Sequence, residues 1–255
     1  MKITIITVCY NAVNVLEKTI CSVLNQSYKN IEYIIIDGKS TDGTLNIIKK
    51  YDTYITRWTS EPDKGIFDAM NKGVSYSHGN WVLFLNSGDY LCDEFVISRC
   101  FENCQYNDCS VIYGDVYQDY ISKKRYYKEC PFYLSKKKIR GMGICHQALF
   151  VRGDIIRNLR FDLSYKCCAD YNMMMQIYKS GGRFLSLNIP IAVYDTLGFS
   201  EIHWKRVFYE EARICEVENS VYYKIVLYKR IIFRCVRKCL GLRLSLIHIS
   251  EPTRH

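Results

Sequence analysis

The chain has 255 residues, 49 % of them apolar, enough for a sizeable core in one large α/β domain with a short appendage, or in two small domains. Its formal charge of +9 is uneven: residues 219–243 hold seven basic side chains and no acidic one. The charge therefore describes a C-terminal element, and nucleic-acid binding by the main domain is not expected.

Thirteen cysteines are an odd number, and Cys100, Cys104 and Cys109 lack paired CxxC spacing. With no leading export signal in view, neither a disulfide framework nor a zinc site is expected, and a reducing cytoplasm is the simplest setting. No stretch of eighteen uninterrupted apolar residues occurs, so no membrane-spanning helix is expected.

In chain order, residues 3–9 form a β-branched run that reads as a strand. Asn14 and Glu17 have capping-box spacing ahead of Leu16, Ile20, Val23 and Leu24, which recur at helical intervals. A second strand covers 31–36 and closes on Asp37-Gly38. Ser40 or Thr41 is placed to cap the next helix, which carries Leu45, Ile47 and Ile48. A weaker strand at 53–58, a helix around 66–76 and a strong strand at 81–85 follow. This alternation predicts right-handed crossovers and a mostly parallel, Rossmann-like sheet flanked by helices. Ligands of such sheets bind at the carboxyl ends of the strands. The polar clusters Cys9-Tyr10-Asn11, Asp37 and Asn86-Ser87-Gly88-Asp89 fall at those ends.

The second half is less regular. Strands are expected at 111–117, 148–151, 184–187 and 191–194. Helices are expected at 170–179, stopped by Gly181-Gly182, and at 203–218. The division read from this pattern is 1–115, 116–218 in the same domain, and a basic segment at 219–243. Residues 245–255 have the look of a read-through translation and are set aside, with the natural chain expected to continue past about Leu244.

Four segments stand in order: Thr7-Val8-Cys9-Tyr10-Asn11; Asp37 through Thr44 (DGKSTDGT); Ser60 through Gly73 (SEPDKGIFDAMNKG); and Phe84 through Asp89 (FLNSGD). Together they resemble the inverting glycosyltransferases of family 2 with the GT-A fold, above all bacterial enzymes of capsule, exopolysaccharide and O-antigen assembly. The resemblance covers roughly residues 1–200. It implies a nucleotide-sugar donor, a glycan or lipid-linked acceptor and a divalent cation, Mg²⁺ or Mn²⁺.

The resemblance also implies site residues. Thr7, Val8 and Tyr10 match positions around the nucleotide, Asp37 the position that reads the base edge, and Asp63 a segment running beside the nucleotide. Asn86, Ser87 and Asp89 stand where the family carries an Asp-x-Asp-like motif. Here only Asp89 supplies a carboxylate, with Asn86 a neutral oxygen donor. Asp170, opening a helix in the second half, matches the catalytic base, and an Asp there would equally serve as an N-cap. His146 and Gln147 match a pair on the acceptor side. Arg140 and residues 136–138 read as phosphate contacts or, more simply, a solvated loop. A dehydrogenase is disfavoured because no GxGxxG follows the first strand. A sugar-nucleotide-binding protein without catalysis stays open, given the thinned metal motif.

From 221 to 240, Ile225, Tyr228, Ile232, Cys235, Val236 and Cys239 recur at helical spacing. Lys224, Arg230, Arg234, Arg237 and Lys238 are expected opposite them. This basic amphipathic helix suits an anionic membrane surface, hence peripheral attachment at the inner face of the plasma membrane; packing against the domain is the alternative.

Overall fold

The apolar runs at 3–9, 31–36 and 81–84 become the centre of one sheet in the computed structural model, which describes residues 1–102, 106–119, 125–128, 139, 142–195 and 203–239. The strands are β1 (Ile3–Cys9), β2 (Ile31–Asp37), β3 (Arg57–Ser60), β4 (Trp81–Phe84), β5 (Tyr90–Leu91), β6 (Val111–Asp119), β7 (Arg125–Lys128), β8 (Leu149–Arg152) and β9 (Phe184–Asp195). Their order is β3-β2-β1-β4-β8-β6-β9-β5, with β7 paired to β6. The sequence expects two short strands where the single β9 runs through, its pairing with β6 irregular between Tyr113 and Val116.

β3, β2, β1 and β4 are mutually parallel, and β6 pairs parallel with β9. β8 runs against both β4 and β6. Every residue of β1 is buried, as are all of β2 after Ile31. A strand covered on both faces cannot alternate apolar with polar, which is why these segments read as continuous runs. Burying one such aliphatic side chain contributes roughly 1.5–3 kcal/mol.

Helices cover the sheet: α1 (Leu16–Leu24), α2 (Thr44–Lys50), α3 (Ile66–Tyr76), α4 (Val96–Phe101), α5 (Gly153–Leu159), α6 (Ala169–Lys179), α7 (Trp204–Ile214) and α8 (Val221–Cys239). Their starts differ from the sequence reading. Asn14 does not cap α1: the chain enters through a turn in which the Val15 and Leu16 amides donate to the Ala12 carbonyl. Glu17 instead meets Lys50 at 2.7 Å and accepts from Tyr51 at 2.8 Å. Neither Ser40 nor Thr41 caps α2; Gly43 precedes it, and Asp42 accepts from the Thr44 amide at 3.0 Å. The expected strand at 53–58 is a 3₁₀ turn followed by β3. Cys9, Cys21, Cys109, Cys167, Cys168 and Cys235 carry free thiols, while Cys104 lies outside the described residues.

Candidate active site

The parallel register sets Cys9 beside Asp37, so the carboxyl ends of β1 and β2 are level. Leu85 and Ser87 continue past β4 by donating to the carbonyls of Ile6 and Val8. All three polar clusters thus share one edge. Cross-links fix their loops: the Asn11 amide donates to Ser40 Oγ at 2.8 Å, and Asn11 Oδ1 accepts from the Thr41 amide at 2.9 Å.

Asp37 is fully buried. Its Oδ1 accepts from Ser40 Oγ at 2.5 Å, and its Oδ2 accepts from the Ser40 amide at 3.0 Å and Ser60 Oγ at 2.6 Å. The carboxylate therefore braces the loop, and with no exposed surface and both oxygens engaged it is not presented to a base edge as the sequence reading expects. Above it, Gly38 gives room to two other site residues: a Cβ there would stand 2.5 Å from Asp63 Oδ2 and 3.3 Å from Tyr10 Cδ2. Asp63 also accepts from the Gly65 amide at 2.8 Å, and Tyr10 is 65 % exposed. Two further expectations need correction. Thr7 is fully buried and its hydroxyl donates to the Leu85 carbonyl at 2.8 Å, so it ties strands together and does not face a ligand. Val8 is buried as well and contributes only its carbonyl, which holds Ser87.

The Asn86–Asp89 turn closes on itself, the Asp89 amide donating to the Asn86 carbonyl at 3.0 Å. Gly88 sits at φ +99°, a conformation that favours glycine. Thr19, on α1, clamps this turn from behind. Its Oγ1 accepts from the Gly88 amide at 3.0 Å and donates to the Asp89 carbonyl at 2.7 Å. Asn86 Oδ1 is buried with no hydrogen-bond partner. Among the described residues, no three His, Cys, Asp or Glu side chains cluster as a metal site. One carboxylate and one unsatisfied amide oxygen fit a hard cation that draws its remaining oxygens from a bound diphosphate and water.

Because β8 runs against β4, the start of β8 lies beside the end of β4. That places His146, in the 3₁₀ turn before β8, with its Nε2 3.1 Å from Asn86 Nδ2. On its other side, His146 Nδ1 stands 3.6 Å from Asp170 Oδ2. An Asn86 N–H donated to Nε2 leaves the ring proton on Nδ1, facing Asp170. Burial lowers the His146 pKa against the opposing pull of Asp170, and burial raises the Asp170 pKa against the opposing pull of His146. The neighbouring Gln147 is buried beneath the turn.

Asp170 is not the cap of α6. The helix begins at Ala169, and Asp170 Oδ1 accepts from the adjacent Tyr171 amide at 2.8 Å. The amides leading into the helix are held by Glu210 on α7. Its carboxylate accepts from Lys166, Cys167 and Cys168 at 2.9, 2.8 and 2.9 Å. Burial pushes the Cys167 thiol up to about 11 and raises Cys168 further, which favours the thiol over the thiolate in both.

Sequence reading missed Thr19, Ser60 and Glu210. Ser60 opens one of the motif segments, whereas Thr19 and Glu210 sit in ordinary amphipathic helices with no local signal. Arg140 and residues 136–138 lie outside the described residues.

Comparison with known proteins bears on the family and the fold. The model of the family described as Glycosyl transferase family 2 matches residues 4–168. An uncharacterized glycosyltransferase of Mycobacterium tuberculosis is 28 % identical over 177 residues, covering 68 % of each chain. A PGL/p-HBAD biosynthesis glycosyltransferase of Mycobacterium bovis is 25 % identical over 201 residues, 76 % of this chain and 77 % of that one. Among solved structures, S. aureus TarS 1-349 in complex with UDP-GlcNAc superposes with a TM-score of 0.66 at 18 % identity, over 86 % of this chain and 66 % of that one. The match spans only 39 % of the longer TarS chain. The mannosyltransferase PcManGT from Pyrobaculum calidifontis, in complex with GDP-Man and Mn2+, gives 0.63 at 12 % identity, over 82 % and 61 %. The chain belongs to glycosyl transferase family 2 and has the GT-A fold.

Proposed function

We propose that this chain transfers a sugar from a nucleotide-activated donor to an acceptor hydroxyl by a single inverting displacement, with Asp170 as general base. The observation that carries this reading is the row Asn86–His146–Asp170, which links a carboxylate of raised pKa to the turn after β4 that carries Asp89. Tyr10, Gly38 and Asp63 form the face for the nucleotide, over the Asp37 carboxylate and its serine partners. The UDP-GlcNAc and GDP-Man complexes of the structural neighbours support a nucleotide-sugar as donor.

In the step itself, Asp170 takes the acceptor hydroxyl proton. The freed oxygen pair forms the new bond to the anomeric carbon from the face opposite the diphosphate, and the old C–O bond breaks with its pair leaving on the nucleoside diphosphate. His146, neutral and with its Nδ1 proton toward Asp170, orients the carboxylate. A divalent cation, Mg²⁺ or Mn²⁺, held by Asp89 with Asn86 Oδ1 as a neutral ligand, would neutralise the charge growing on the leaving diphosphate. The other donor-side group, Ser87, holds the turn through its amide.

The test is turnover of a panel of UDP- and GDP-sugars, with and without divalent cation, followed by NMR of the product anomer. Release of nucleoside diphosphate with retained anomeric configuration contradicts the single displacement. Binding of donor with no turnover, with or without a range of sugar acceptors, would make the chain a donor-binding protein.

A further inference from the structure

α8 has two opposed faces. Tyr223, Val226 and Leu227 pack toward α7, where they meet Phe208 and Ala212, and Tyr223 stacks on Phe208 with ring centroids 5.2 Å apart. The other face carries Val221, Ile225, Tyr228, Ile232 and Val236, spaced at intervals of four, three, four and four residues. At about 100° per residue these form one row, which runs for roughly 22 Å at 1.5 Å per residue. All five are exposed, from 49 % at Val236 to 72 % at Val221.

Arg230 and Arg234 lie opposite this row, as the spacing expects, but that opposite side faces the domain, and Lys224 does not share it. Arg230 turns inward, 4.4 Å from the Phe208 ring and 3.9 Å from Glu211 Oε2, and Arg234 lies 4.5 Å over the Trp204 ring. Neither arginine is opposite the core side, and neither faces out beside the row. Lys224 and Lys229 flank the row instead, one on each side and both exposed. No acidic residue occurs anywhere in α8.

A helix anchored to its domain by one face exposes a polar face to water. Here the outward face is apolar along its length and edged with lysine, the composition of a surface that enters the headgroup boundary while its ammonium groups meet anionic lipid. α8 is not long and apolar enough to cross a bilayer. A second copy of this chain is a poor occupant: two-fold pairing of α8 would bring lysine against lysine with no acidic residue on either helix to compensate. We infer that the Val221–Ile225–Tyr228–Ile232–Val236 row of α8 docks this protein on an anionic bilayer surface. The inference stands independently of the transfer chemistry. Its consequence for the site is short-ranged, because Phe208 under α8 lies on the same helix as Glu210, which holds the amides ahead of Asp170.

The test is co-sedimentation of the full chain with vesicles of phosphatidylcholine alone or mixed with phosphatidylglycerol, at low and high salt. Binding is expected only to the anionic vesicles and is expected to weaken with salt. Ile225→Ser with Ile232→Ser is expected to reduce it roughly tenfold or more, and Lys224→Glu with Lys229→Glu similarly, because both attractions contribute. These side chains are exposed, so thermal melting is expected to stay unchanged and to separate lost docking from lost fold. Equal binding to neutral vesicles, no binding at low salt, or indifference to the isoleucine pair overturns the proposal. So does a dimer, seen by light scattering, that the isoleucine pair dissociates, or a soluble acidic protein that binds the row while vesicles do not.

Discussion

His146 Nδ1 and Asp170 Oδ2 stand 3.6 Å apart, longer than a hydrogen bond and close enough for the charge of either group to act on the other. The two residues lie 24 positions apart in the irregular half, separated by β8 and α5. One lies in the turn before β8 and the other in the first turn of α6. Asn86 fixes the far side of the ring at 3.1 Å, so the orientation of His146 depends on the turn that also carries Asp89. The base and the diphosphate end of the proposed site are thereby joined through one imidazole.

Asp170→Asn is expected to lower kcat by about 10²–10⁴-fold while donor affinity is retained, because an amide cannot accept the hydroxyl proton. Isothermal titration with donor and single-turnover transfer would separate the two quantities. Transfer within a few-fold of the parent protein removes Asp170 from the mechanism.

The same substitution should raise thermal stability near neutral pH. The folded-state pKa of Asp170 is raised by burial, so the folded protein carries an unfavourable ionised carboxylate above that pKa. The penalty grows as pH rises from the unfolded value of about 3.9 to the raised folded value, and below about 3.9 the carboxyl is neutral in both states and this difference from asparagine disappears. The acid limb of kcat/KM should likewise lie above the ordinary aspartate value of about 3.9. Melting temperatures of both proteins from pH 4 to 8 check this, with equal stability at all pH values the contrary result.

Glu210→Gln should destabilise the loop entering α6. A glutamine turns an N–H₂ group toward amides that a carboxylate accepts, leaving at least one donor unsatisfied at a cost of about 1–3 kcal/mol. For a chain of this size that is a fall in Tm of roughly 3–10 °C. As a positioning residue, Glu210 should also lower kcat more than it raises the donor KM and should displace the acid limb of the pH profile. A change in Tm alone would leave it purely structural.

Gly38→Ala should weaken donor binding without unfolding the sheet. The added Cβ would stand 2.5 Å from Asp63 Oδ2, the mobile end of a side chain that can swing away. Displacing a carboxylate from a ligand hydrogen bond costs about 1.5–3 kcal/mol, roughly a 10–100-fold rise in donor KM. An unchanged KM would detach Asp63 from the nucleotide.

Thr19→Val removes both hydrogen bonds that hold Gly88 and Asp89. The expected result is a rise of up to roughly 30-fold in the Mg²⁺ or Mn²⁺ concentration needed for half-maximal turnover, at about 1 kcal/mol for each of the two bonds lost. Unaltered cation dependence, with turnover still requiring cation, would show that the turn keeps its shape without the clamp.

The strands and the polar clusters at their ends were legible because their causes are local. Ile3–Cys9 and Ile31–Asp37 are dominated by β-branched and other apolar residues, with Thr4, Thr7 and Glu32 the exceptions before the closing Asp37, and no neighbouring segment is needed to see that they form strands. Helix starts were less legible. Asn14, Ser40 and Asp170 all have the right chemistry for caps, but the Ala12 turn, Asp42 and Glu210 take those places. Cap chemistry is common along any chain, and the residue that wins is the one whose loop the tertiary packing brings into line.

The sequence by itself determined an alternating α/β sheet, an edge bearing Tyr10, Asp37, Asp63 and Asp89, and a basic helix near the end. Only the tertiary structure decided that Thr7 faces inward, that Asn86, His146 and Asp170 form one row, and that Arg230 and Arg234 turn away from the outer face of α8. Periodicity fixes which residues share a face, since it follows from the backbone repeat. It cannot say which face meets the domain. That depends on contacts between distant segments: β8 reversing against β4, and Tyr223 stacking on Phe208.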